Sequence, residues 1–143
     1  MHGDGTNVRS YLSVHDFAAA ILLLIEASTI GEVYNVGGDA ERQNIQVVKV
    51  ICALLDQRRP RADGQPHATA ISFVTDRPGH DHRYAIDARR ARTELGWAPQ
   101  EDFQSGLRKT VRWYLDHPAW IQGILDGLSK KLPVAIASGV APQ

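Results

Sequence analysis

Asp76-Arg77-Pro78-Gly79-His80-Asp81-His82-Arg83-Tyr84-Ala85-Ile86-Asp87 is the stretch from which the rest of this chain is best read. It sets two Arg, two His and three Asp around a Pro-Gly turn. An apolar run precedes it, and a helical pattern follows. A turn carried between two ordered elements can aim charged side chains at one ligand, and Arg is the natural partner of phosphate. Pro78 favours an extended Arg77, and Gly79 permits a tight turn or the close approach of a ligand. The bland alternative is a solvated surface turn with Arg77 paired to Asp76 or Asp81.

Working outward, Ile71–Thr75 reads as a strand leading in, and Tyr84–Ile86 as a short extended piece leading out. Asp87 is placed to cap a helix over Ala88–Leu95, stopped by Gly96 and followed by Pro99. Asp102 or the residue before it should cap the next helix, with Phe103, Leu107, Val111, Tyr114 and Leu115 on one face. Pro118 breaks that helix, and a last one is expected over about Ala119–Leu128. Towards the N-terminus, Val8–Ser13 can form a short strand. Ser13 should cap a helix over Val14 to about Ala27, with Asp16 completing a capping box. Gly31 ends it. Val33–Val36 reads as a strand closed by Gly37-Gly38, and Asn44 as the cap of a helix over Ile45 to about Asp56. Arg58–His67 reads as a loop. The fold class is therefore mixed α/β, without the regular alternation of a complete doubly wound sheet. Residues 1–128 are expected to form the domain and residues 129–143 a disordered tail.

The chain of 143 residues is long enough for one domain with a real core. Its zero formal net charge gives no electrostatic support to nucleic-acid binding. The longest apolar run, Phe17–Ile25, is too short to span a bilayer, so no membrane role is expected. Met1–Gly5 has neither the basic nor the apolar region of a signal peptide. Cys52 is the sole cysteine, which excludes an internal disulfide or a cysteine-based zinc site. A cytoplasmic setting is the expectation.

Other candidates are weaker. Gly3-Asp4-Gly5 has two glycines of a dinucleotide fingerprint, but Val8 holds the third place and no strand precedes it, so a simple turn is the better reading. Asp76, His80, Asp81 and His82 match no common zinc spacing. No Tyr is followed four residues later by Lys, and no Ser or Cys lies in a nucleophile elbow. Arg9 has a salt bridge to Asp4 or Asp16 as its simplest explanation. Trp97, Trp113, Trp120, Tyr114 and Phe103 read as core aromatics rather than a stacking platform. Arg89, Arg90 and Arg92 read as a solvated face.

Taken together, the signatures resemble those of the dTDP-glucose 4,6-dehydratases, within the extended short-chain dehydrogenase/reductases. They are Gly3-Asp4-Gly5 with Val8-Arg9 and Val14-x-Asp16; Gly31-Glu-Val-Tyr-Asn-Val-Gly-Gly38; Glu41-Arg42-x-Asn44; Ile51-Cys-x-Leu-Leu55; Phe73 through Asp87; Glu94-Leu-Gly-Trp-x-Pro99; and Lys109-Thr-Val-x-Trp-Tyr-Leu115. The resemblance implies the C-terminal substrate-binding part of such an enzyme, without its Rossmann domain. It implies that Arg9 and Arg77 hold the diphosphate of dTDP-glucose or a related nucleotide sugar. Asn44 would contact the nucleotide end, and His80 would lie near the phosphates. Two planar guanidiniums could each grip two oxygens. NAD is the cofactor of the full-length family, and none is expected in this chain. Catalytic residues are not expected here either, so the chain alone should be inactive and bind its ligand weakly. The alternatives are a stand-alone, non-catalytic binding or interaction module, or the equivalent domain of a nucleotide-sugar epimerase or decarboxylase. An apolar surface left uncovered around Phe17–Ile25 should promote homodimerisation.

Overall fold

The computed structural model describes residues 1–27 and 30–131. The described chain runs β1 (Val8–Tyr11), α1 (Val14–Ala27), β2 (Ala40–Gln43), α2 (Asn44–Arg58), a single 3₁₀ turn (His67–Ala70), α3 (Arg89–Leu95), α4 (Phe103–Asp116) and α5 (Pro118–Lys131). This is a mixed α/β fold. Two compact units divide it, Met1–Lys109 and Thr110–Gln143, and the division falls within α4. The tail expected beyond residue 131 lies outside the described residues.

Local chemistry explains the helix ends. The Ser13 hydroxyl accepts the His15 N–H at 3.3 Å, as an N-cap should. Asp16 does not complete a capping box. Its buried carboxylate instead accepts the N–H groups of Gln100 and Glu101 at 2.9 and 3.1 Å, tying the chain before α4 to the start of α1. Asp102 caps α4 through the Ser105 N–H at 2.7 Å. Gly96, at φ 64°, closes α3 in the left-handed conformation that glycine adopts without strain. The cap of α3 falls one residue later than expected: Ala88 holds the position, and the Asp87 carboxylate accepts the Arg89 N–H.

Two expected strands are absent. Val33–Val36 forms no ladder with any described residue. The second strand is Ala40–Gln43, which pairs antiparallel with β1 in the register Val8 to Gln43 and Tyr11 to Ala40. Ala-Glu-Arg-Gln has little strand propensity of its own, so pairing with β1 creates it. Gly38 makes this approach possible, because a Cβ there would lie 2.6 Å from the Tyr11 carbonyl oxygen. Ile71–Thr75 contributes only one parallel bridge, His2 to Val74. Further on, Val8 bridges Arg83 in parallel: the Val8 N–H donates to the His82 carbonyl at 2.7 Å, and the Tyr84 N–H to the Val8 carbonyl at 3.1 Å. Residues His82–Tyr84 are thereby held against the edge of β1 away from β2.

The core is small. Ala20, Ala88, Ala91 and Trp97 are buried together, with Leu12, Leu23, Tyr34, Val36 and Leu95 packed around them. The Trp97 indole N–H donates to the Asp16 carbonyl at 3.2 Å. Trp97 is thus a core aromatic, as its sequence context suggests. Trp113, Tyr114 and Trp120 are not: each is roughly half exposed, and they form one cluster in which Trp113 also stacks on His117. Helix α1 buries only Asp16 and Ala20, while Val14, Phe17, Ile21, Leu22 and Ile25 form an exposed apolar stripe.

Asp16 therefore has a role that can be measured. Asp16→Ala should lower stability by about 2–4 kcal/mol, because it leaves two backbone donors unpaired beside the core. Chemical denaturation of the two proteins checks this; a loss under about 0.5 kcal/mol would show the tie to be dispensable.

Candidate functional site

The β1–β2 ladder and the segment bridged to Val8 bring Arg9, Asn44 and His80 into one network. Arg9 is its centre. One terminal nitrogen donates to the carbonyls of Val8 and His82 at 2.7 and 3.4 Å. The other donates to the Asp81 carbonyl and lies against the His80 Nε2, both at 3.0 Å. Below the guanidinium plane lies the Tyr84 ring, with its centroid 4.4 Å from Cζ. Among the described residues, no carboxylate pairs with Arg9. Asp4 is engaged by Thr6, and Asp16 by Gln100 and Glu101, so the salt bridge considered from sequence does not form. The four terminal N–H groups of Arg9 all have protein acceptors, and its Nε–H has none among the described residues.

His80 has one consistent tautomer in this arrangement. Its Nδ1 lies 2.6 Å from the Asp76 carboxylate, which can only accept, so Nδ1 donates. Its Nε2 faces a guanidinium nitrogen, which can only donate, so Nε2 accepts. The His80 side chain is only 9% exposed. Hydrogen bonding from His80 holds the Asp76 carboxyl below the usual carboxylate range. Pro78 and Gly79 form the expected turn: Gly79 has φ 69°, and the His80 N–H reaches the Arg77 carbonyl at 3.2 Å.

The Arg77 side chain projects from that turn, exposed, and pairs with neither Asp76 nor Asp81. Asp76 is engaged by His80, while Asp81 accepts the Tyr84 hydroxyl at 2.5 Å. That hydrogen bond pushes the Tyr84 phenol up, and the Arg9 and Arg77 charges both oppose the shift. One phenol therefore feels both guanidiniums.

Asn44 is not the cap of α2. It is the first helical residue, and Gln43 holds the cap position, where its N–H donates to the Gln46 side chain at 3.1 Å. The Asn44 Oδ1 is thereby free to accept the Tyr11 hydroxyl at 3.2 Å. Burial raises the Tyr11 phenol above its ordinary range, and the nearby Arg9 charge opposes that rise. Tyr11 thus links Asn44 to Arg9. Tyr11 and Tyr84 were not singled out as site residues from sequence. The period-2 pattern of β1 puts Tyr11 on the Arg9 face, but nothing local predicts that Val8 would dock Tyr84 beneath Arg9.

The remaining candidates separate from this network. Gly3 and Gly5 have φ 59° and 78°, in a turn closed by Asp4 and Thr6. A Cβ on Gly3 would meet the Asp76 carboxylate at 2.8 Å, and one on Gly5 would meet Met1 at 2.5 Å. Backbone so covered, with a carboxylate against it, does not fit the pyrophosphate of NAD. A separate cleft of about 500 Å³ is lined by Asn35, Asp87, Arg89, Arg90, Thr93 and Glu94. Its cations are spent on Asp87, Glu32 and Glu94. Among the described residues, no three His, Cys, Asp or Glu side chains converge as metal ligands, and no helix is long and apolar enough to cross a membrane.

A mixed α/β fold similar to this one occurs within the extended short-chain dehydrogenase/reductases. The chain belongs to the GDP-mannose 4,6 dehydratase family, whose model matches residues 1–110. It is similar to dTDP-glucose 4,6-dehydratase of Xanthomonas campestris pv. campestris, at 55% identity over 127 residues, covering 89% of this chain and 36% of that protein. Similarity to dTDP-glucose 4,6-dehydratase of Neisseria meningitidis serogroup B is 50% over 129 residues, with the same coverage. The solved structure of dTDP-glucose 4,6-dehydratase from Bacillus anthracis, in complex with NAD, superposes with a TM-score of 0.73 at 40% identity, covering 84% of this chain and 35% of that one. The chain thus spans about a third of the length of these relatives.

The His80 tautomer is open to direct measurement. Long-range proton–nitrogen NMR correlations should show His80 protonated at Nδ1, and Asp76→Ala should shift it towards the Nε2–H form. An Nε2–H tautomer in the unaltered protein would contradict the Arg9 contact.

Proposed function

We propose that this chain is the nucleotide-sugar-binding, C-terminal part of a dTDP-glucose 4,6-dehydratase, and that it has no activity by itself. The observation that carries this reading is the pair of guanidiniums without carboxylate partners, Arg9 and Arg77, set about Tyr84 beside His80. Two cations left unpaired on one surface suit a dianionic group such as the diphosphate of dTDP-glucose. Their roles differ. Arg9, held by four protein acceptors, supplies fixed charge and one N–H. Arg77, without a side-chain partner among the described residues, supplies the planar fork. Asn44 has its amide N–H groups available toward the nucleotide end, since Tyr11 occupies its oxygen. Binding energy gathered at the nucleotide handle would serve chemistry at the remote sugar.

The family reaction implied by the resemblance oxidises C4 of the glucose, eliminates water across C5–C6 and returns the hydride to C6. NAD carries that hydride when bound. In this reading the part of this chain is to hold the substrate. A cytoplasmic setting belongs to the same reading.

Calorimetry with dTDP should show weak binding that falls at least about tenfold in Arg77→Ala, the loss expected for a charge-assisted pair. Equal heats for the two proteins would remove Arg77 from the site. A product assay with dTDP-glucose and NAD should find no 4-keto-6-deoxy sugar above background, and turnover that survives repurification would overturn the claim of inactivity. The apolar stripe on α1, from Val14 to Ile25, favours association with a second copy. Sedimentation should therefore report a concentration-dependent dimer that Leu22→Glu weakens; a monomer throughout a wide concentration range would count against it.

A further inference from the structure

Asp76 begins a relay of hydrogen bonds that ends at Arg9. One carboxylate oxygen, Oδ1, accepts both the His80 Nδ1–H at 2.6 Å and the Arg77 N–H at 2.9 Å. The other, Oδ2, lies against Gly3, where a Cβ would meet it at 2.8 Å. The carboxylate is thus packed on one side and bonded on the other. Because it only accepts, the imidazole proton sits on Nδ1, and the Nε2 lone pair is left to face the Arg9 guanidinium at 3.0 Å. Among the described residues, His80 is the one side chain that accepts from Arg9; the other acceptors are the backbone carbonyls of Val8, Asp81 and His82. With the proton on Nε2 instead, two donors would face each other and the contact would be lost. Charge alone gives Asp76 the opposite effect. A carboxylate near an anion site repels the anion, so its removal should tighten binding. The relay and the charge therefore predict opposite signs for the same substitution.

We infer that Asp76 is a positioning residue of the anion site: acting through His80, it fixes the direction of the Arg9 guanidinium and so strengthens the binding of a diphosphate. This rests on the nucleotide-sugar reading above and adds to that site a residue that need not touch the ligand. The binding gained by holding Arg9 outweighs the repulsion between the Asp76 carboxylate and the bound anion.

The test is calorimetry at low salt and one pH, with dTDP, inorganic pyrophosphate and thymidine as separate probes. The proteins are the unaltered chain, Asp76→Ala, Asp76→Asn, His80→Ala and the double variant Asp76→Ala/His80→Ala. Asp76→Ala should weaken dTDP and pyrophosphate by about 5–10-fold, on the order of one charge-assisted hydrogen bond. Asp76→Asn keeps an oxygen for both hydrogen bonds and should stay within about twofold of the unaltered chain. Thymidine, which lacks the phosphates, should show no difference among the proteins. His80→Ala should match Asp76→Ala, and the double variant should be no weaker than either, because residues acting in series are not additive. Proton–nitrogen correlations should place the His80 proton on Nε2 in Asp76→Ala. Unchanged or tighter pyrophosphate binding by Asp76→Ala would overturn the inference and leave the nucleotide-sugar reading intact. So would a double variant in which the two losses multiply, since Asp76 would then act through the Arg77 turn and not through His80. His80→Ala reads the same relay from its middle, so undiminished pyrophosphate binding there would overturn the inference even if Asp76→Ala failed to fold. Failure of the unaltered chain to bind either dTDP or pyrophosphate would overturn both readings.

Discussion

Two backbone hydrogen bonds at Val8 organise this protein's candidate site. The Val8 N–H reaches the His82 carbonyl and the Val8 carbonyl accepts the Tyr84 N–H, so a loop more than seventy residues away in sequence is aligned with β1. On the other edge, β1 pairs with β2. Arg9 follows Val8 directly, and this double pairing surrounds its guanidinium with the Asp81 and His82 carbonyls, the His80 imidazole and the Tyr84 ring. Without the Val8 bonds, Arg9 would be one more exposed cation. With them it becomes a positive charge fixed in place. Pre-organised charge of this kind needs little rearrangement on binding.

That constraint also divides labour between the cations. Arg9 is rigid because its donors are satisfied by protein, and Arg77 is available because its neighbouring aspartates are engaged elsewhere. Asp76 and Asp81 look from sequence like the partners that would neutralise Arg77. In the fold each has a competing donor, His80 for one and Tyr84 for the other. The lack of ion pairs at Arg9 and Arg77 among the described residues is thus a product of which hydrogen bonds the carboxylates make. It does not follow from composition, which is neutral overall.

The fold around this network is thinly covered. Its core centres on Ala20, Ala88, Ala91 and Trp97, and α1 turns most of its large apolar side chains outward. Val33–Val36 has the composition of a strand, yet no described residue pairs with it. Both features fit a chain that spans about a third of its relatives' length and shares a partial fold with them.

Helical periodicity, the caps at Ser13 and Asp102 and the stop at Gly96 were all legible from the sequence, because they depend on contacts between residues a few positions apart. So was the mixed α/β class. The Arg-Pro-Gly-His turn could be recognised for the same reason, since its shape is set by Pro78 and Gly79 themselves. The strands were less legible. Ala40–Gln43 becomes a strand only by pairing with β1, and Val33–Val36 lacks such a partner, because strand formation is a property of two segments. Likewise, the sequence by itself supplied the cations of the candidate site, but only the tertiary structure decided which would be held and which left free. Charges are written in the chain; their pairing depends on donors and acceptors that folding brings from far along it.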